Sequence, residues 1–105
     1  MSPDDRVDDL LAFIDASPSP YHAVAEAAGR LEGAGFERLD ERDAWPSSPG
    51  GYFVVRGGTL VAWAVAARRS ATDGFRIVGA HTDSPNLRVK PRPDTGSAGY
   101  RQPGV

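Results

Sequence analysis

Apolar side chains at Val7, Leu10, Leu11 and Ile14 fall at the i, i+3, i+4, i+7 spacing of one helix face. Ser2 is placed to cap that helix, Pro3 suits its first turn, and Asp4 and Asp5 complement its positive end. Pro18 and Pro20 then break it, because each lacks an N–H and disfavours helix in the residue before it. Ser19 caps a second helix that starts at Pro20. Its predicted buried stripe is Tyr21, Val24, Ala27, Ala28 and Leu31, and Gly33 and Gly35 end it.

From Trp45 the period changes. Residues 51–56 and 59–65 are β-rich runs on either side of Gly57 and Gly58, a two-residue hairpin signal. Residues 68–74 read as a polar turn. The run 75–80 predicts a third strand whose bulk suits burial on both faces, and it leads straight into His81, Thr82, Asp83, Ser84 and Pro85. Residues 87–90 predict a short fourth strand alternating apolar and basic. Two helices followed by a mixed sheet make the expected fold class α/β, with the sheet present only in part.

The chain has 105 residues, enough for one small domain. Hydrophobic residues make up 40% and charged residues 25%, the balance of an ordinary globular protein. A formal net charge of −2 offers no basic field for nucleic acid. The longest apolar stretch, residues 60–67, is far short of a membrane span, and the acidic N-terminus does not resemble a secretory signal. A cytoplasmic protein is the default expectation. With no cysteine, any metal would need His, Asp and Glu ligands. The stretch 91–99, rich in proline and glycine, reads as a linker, and residues 100–105 begin an element that stops almost at once. The expectation is a truncated sequence.

The candidate chemistry lies at His81 and Asp83, at the carboxyl end of the predicted apolar strand, where open α/β sheets bind ligands. A neutral imidazole can ligate zinc, and a carboxylate two residues on can accept from the other ring N–H and orient it. Pro85 would stiffen this turn, and the Ser84 hydroxyl would bond its backbone. One H-x-D is a weak motif. On spacing alone the blander alternative, an Asx-type turn at Asp83 with His81 merely packing, is favoured.

Several blocks in series carry a more specific signal. SPSPYHAV at 17–24, GF at 35–36, LDERDAW at 39–45, GFRIVGAHTDSP at 74–85 and LRVKP at 87–91 resemble the opening of the aspartyl aminopeptidase family of dinuclear zinc metallopeptidases. The resemblance covers nearly the whole chain and implies that it is the N-terminal part of a zinc-peptidase domain. It makes His81 a zinc ligand and Asp83 a residue that supports catalysis by orienting it. It further implies two zinc ions per complete site and hydrolysis by metal-activated water. The substrates would be peptides with an N-terminal aspartate or glutamate, and the assembly a homo-oligomer, a tetrahedral dodecamer. The remaining ligands, a glutamate general base and a second histidine would lie beyond Val105. On that analogy residues 1–92 belong to the peptidase domain, and residues 93–105 lead towards an interposed assembly domain. Pro103 departs from the family pattern, where an apolar strand residue is expected. Proline removes a strand donor, so either this strand is an edge or the reading frame has gone astray.

Other residues receive surface or packing readings. His22 is read as a structural histidine near a helix N-terminus, Trp45 and Trp63 as core or interface bulk, and Arg68 and Arg69 as a solvated turn. Arg88, Lys90 and Arg92 form the polar face of a half-exposed strand, or a basic face towards acidic substrates. Asp40, Glu41 and Asp43 form a surface cluster without a histidine nearby in sequence. One histidine and one carboxylate are too few for a catalytic zinc site, so the chain alone is expected to be inactive. The rival expectations are a non-catalytic interaction or regulatory protein docking on a full-length peptidase, and a truncated gene product with no role.

Overall fold

The structure, a computed structural model, describes residues 1–70, 72–84, 87 and 89–104. Pro85, expected to stiffen the turn after Asp83, and Arg88 of the basic alternation lie outside the described residues.

Helix α1 spans Pro3–Asp15 and helix α2 spans Pro20–Gly33. Ser2 caps α1 in a capping box: its Oγ accepts from the Asp5 N–H while its own N–H donates to the Asp5 carboxylate. Those bonds hold the Asp5 carboxyl below its ordinary pKa, the backbone N–H of Ser2 contributing most and its hydroxyl next. Ser19 caps α2 through the His22 N–H. The far end of α2 closes as a Schellman motif, Phe36 N–H donating to Leu31 O and Gly35 N–H to Glu32 O, with Gly35 at a φ of 88°.

Three strands follow: β1 Glu37–Arg38, β2 Gly50–Arg56 and β3 Thr59–Val65. β1 runs parallel to β2 and β2 antiparallel to β3, so the sheet is mixed, in the order β1-β2-β3. Arg56 faces Thr59, which makes Gly57 and Gly58 the two-residue turn, with Gly57 at a φ of 55° that other residues rarely adopt. The described core is small: Val24 and Ala28 of α2 with Tyr52, Phe53 and Val54 of β2. Phe53 is fully buried. The Phe36 ring lies against Gly51 so closely that a Cβ there would come within 2.7 Å of it. Trp63 stacks on Trp45 at 5.0 Å and approaches Tyr52 at 6.1 Å, folding the 39–48 loop over the sheet while Trp45 stays half exposed.

The predicted apolar stripe of α1 does not become its packing face. Val7, Leu10, Leu11 and Ile14 are each more than half exposed, and α1 leans on α2 through another side. There Arg30 reaches Asp9 and Glu26, each at 2.8 Å, and lies over the Phe13 ring. On α2 the expected stripe is buried only at Val24 and Ala28, and Tyr21 is exposed.

The larger corrections fall after β3. Residues 75–80 form no strand, and Phe75, Ile77 and Val78 are 93%, 86% and 97% exposed. A strand apolar on both faces exists only between covering layers and paired neighbours, and the described residues place neither around it. Leu87, Val89 and Lys90 are likewise outside any strand. The expected linker at 91–99 instead contributes β4, Asp94–Ser97, which pairs antiparallel with β5, Tyr100–Pro103. Ala98 and Gly99 form its turn with φ of 52° and 82°, the positive values a type I′ hairpin needs. Pro103 sits at the end of β5 opposite Asp94 in a two-stranded sheet, an edge position that tolerates its missing donor. The radius of gyration is 19.6 Å, well above the ~13 Å of a compact chain this long.

Candidate metal-binding loop

The His81 loop lies against the β2–β3 turn. The Thr82 hydroxyl donates to the Gly58 carbonyl at 2.8 Å. That turn is itself seated on the start of α2: a Cβ at Gly58 would stand 3.4 Å from Pro20 Cβ and 4.0 Å from the Tyr21 ring. The loop is thus linked through the hairpin turn to the capped start of α2.

Within the loop His81 and Asp83 are brought together. His81 Nδ1 lies 2.6 Å from the Asp83 carbonyl oxygen and 3.2 Å from its Oδ1. Both oxygens are acceptors, so Nδ1 carries the proton and donates. In the neutral ring the free lone pair is then on Nε2, which has no hydrogen-bond partner among the described residues. The side chains are 78% and 77% exposed, so the imidazole is open to a ligand. An exposed ring whose Nδ1 donates to the Asp83 main-chain carbonyl, with the Asp83 carboxylate 3.2 Å away and Nε2 free among the described residues, suits one metal ligand. It does not make a site: among the described residues no group of three or more His, Asp or Glu side chains could hold a metal. Ser84, expected to bond the local backbone, makes no hydrogen bond among the described residues.

The other singled-out residues lie elsewhere. His22 Nδ1 is 2.6 Å from Ser19 Oγ at the α2 cap. Asp40 pairs with Arg42 at 2.6 Å, and the Arg42 side chain, then its backbone N–H, draw the Asp40 pKa down to about 2. Glu41 pairs with Arg56 at 2.9 Å. A concavity of about 750 Å³ beside the β4–β5 hairpin, walled by Val89, Pro93, Asp94, Arg101 and Gln102, includes neither His81 nor Asp83. Thr82 and Gly58 are the residues that motif reading passed over. A β-branched hydroxyl in the middle of H-x-D was the available signal, but nothing in the sequence names its partner 24 positions earlier.

The fold and loop define an α/β chain with an oriented, solvent-open histidine suited to metal chemistry. Residues 13–105 match the family described as Aminopeptidase I zinc metalloprotease (M18), and the chain belongs to this M18 aminopeptidase family. It is 63% identical over 100 residues to the Probable M18 family aminopeptidase 2 of Streptomyces coelicolor, covering 95% of this chain and 23% of that protein. It is 58% identical over 93 residues to the protein of that name in Mycobacterium leprae, covering 89% and 22%. It also superposes on a chain of the cryo-EM structure of the Ape4 and Nbr1 complex with a TM-score of 0.80 at 38% identity, covering 91% of this chain and 19% of that one. The chain thus spans about a quarter or less of the length of these relatives.

Proposed function

We propose that residues 1–105 supply the N-terminal part of a zinc aminopeptidase that removes aspartate or glutamate from peptide N-termini, with His81 as a zinc ligand through Nε2. The observation that carries this reading is the His81–Asp83 geometry: a donated Nδ1 proton leaves the other ring nitrogen as a lone pair facing solvent. Asp83 is the positioning residue that holds the ring in that tautomer. Zinc bound there would polarise a scissile carbonyl and lower the pKa of an attacking water. The remaining ligands, the general base and a second zinc position would come from outside residues 1–105, so this chain alone is inactive. Acidic specificity, the dodecamer and a domain boundary near residue 92 rest on the family resemblance, and cytoplasmic residence on the acidic N-terminus and the lack of cysteine.

The test is a chimera in which this chain replaces the matching segment of the Streptomyces coelicolor relative. The chimera should bind zinc and release aspartate from an Asp-peptide faster than leucine from a Leu-peptide. His81→Ala should lose both zinc and activity, and Asp83→Ala, which removes the carboxylate but keeps the main-chain carbonyl on Nδ1, should lose about tenfold in either. Full zinc occupancy and unchanged turnover in His81→Ala would sink the reading. Chelator-sensitive hydrolysis by the 105-residue chain alone would refute its inactivity.

A further inference from the structure

A ring can be correctly rotated and still stand in the wrong place. The Asp83 contacts are local and fix the tautomer and orientation of His81, but they travel with the loop. Within residues 1–105 the 75–80 run before the loop is exposed and outside any strand, so in this chain it does not anchor the histidine. Something must tie the loop to the folded part of the chain. Among the described residues that tie is the Thr82 hydroxyl on the Gly58 carbonyl. Its acceptor is well placed for the task, because Gly58 belongs to a two-residue turn pressed against Pro20 and Tyr21 at the capped start of α2. Threonine is also a fitting donor, since its branched Cβ restricts χ1 and the hydroxyl direction with it.

We propose that Thr82 is the positioning residue of the His81 loop: its hydrogen bond to Gly58 sets where the imidazole presents Nε2, while Asp83 sets how the ring is turned. This rests on the reading of His81 as a zinc ligand. The division of labour separates two kinds of defect. Loss of the Asp83 contact frees the tautomer and the rotation. Loss of the Thr82 bond leaves the tautomer intact and displaces the whole loop, and small displacements of a reacting group cost much in rate.

The chimeric aminopeptidase carrying Thr82→Val, which keeps the branched shape and removes the donor, tests this against Thr82→Ser, which keeps the donor. Thr82→Val should lower kcat about tenfold with KM within about twofold, and should speed zinc loss to a chelator about tenfold. Thr82→Ser should stay within about twofold of the parent in all three. In the 105-residue chain the Gly58 carbonyl ¹³C resonance should move in Thr82→Val and stay put in Thr82→Ser. Parental behaviour of Thr82→Val overturns the inference, and so does a Thr82→Ser protein as impaired as Thr82→Val. His81→Ala separates the two levels. If it loses zinc while Thr82→Val is silent, only the positioning role fails; if it keeps zinc, the ligand reading fails and the positioning role falls with it.

Discussion

Residues 1–65 and residues 66–104 both carry apolar side chains but use them differently. In the first part each element finds a partner close in sequence. α2 is capped at both ends and lies on β2, β2 pairs with β3 through a two-residue turn, and Phe53 is fully buried. In the second part Phe75, Ile77 and Val78 stand almost wholly in solvent, and its ordered element is a separate hairpin of β4 and β5. Local pairing costs little loop entropy, so a helix and a hairpin assemble from their own segment. A strand meant for the middle of a sheet has no such option. The lesson for the His81 loop is that it borrows rigidity from the first part, through Thr82, and little from the strand-like run that precedes it.

The difference should be largest at Phe53. Phe53→Ala should cost about 3–5 kcal/mol, read as a lowered urea midpoint, because a fully buried ring leaves a cavity. A loss under about 1 kcal/mol would mean that the first part has no packed core. Ser2→Ala should cost about 1 kcal/mol by removing an α1 cap, with the helical circular-dichroism signal falling and the β2–β3 resonances unmoved. Loss of the sheet signals as well would show that α1 is coupled to the core more tightly than its exposed stripe implies.

A smaller effect, with a defined pH window, belongs to Asp40. Its folded pKa of about 2 is below the ordinary 3.8, so the pair with Arg42 contributes its full stability above pH 3.8 and loses it as pH falls towards 2. Asp40→Asn should therefore lower the melting temperature slightly near neutrality, and the gap should close between those two values. Salt should shrink it, since the pair is exposed. A gap that widens on acidification would contradict the pairing. Ile77→Ala should change stability by less than about 0.5 kcal/mol in this chain, because the side chain already faces water. A cost above about 1 kcal/mol would show that the 75–80 run packs against something in solution.

Much of the first part is legible in the residues themselves. Ser2 with Pro3, Ser19 with Pro20, and Gly57 with Gly58 each specify a local geometry through a cap, a fixed φ or a permitted positive φ. Amphipathic spacing was less informative about burial: the stripe of Val7, Leu10, Leu11 and Ile14 marks a helix correctly and a packing face wrongly for this chain. Arg30, Asp9 and Phe13 make that contact, and no periodicity of apolar residues could point to them. The 91–99 stretch misled in the opposite direction. Its glycines and prolines look like a linker, yet Ala98 and Gly99 take the turn of a hairpin.

By itself the sequence determined the helices, their caps and the β2–β3 hairpin, because all of these depend on residues a few positions apart. Tertiary structure alone decided which faces are buried, that β1 joins β2 in parallel, and that Thr82 reaches Gly58. Those outcomes depend on which surfaces exclude water together and which donors find acceptors across long separations. Neither is written in the spacing of side chains along the chain.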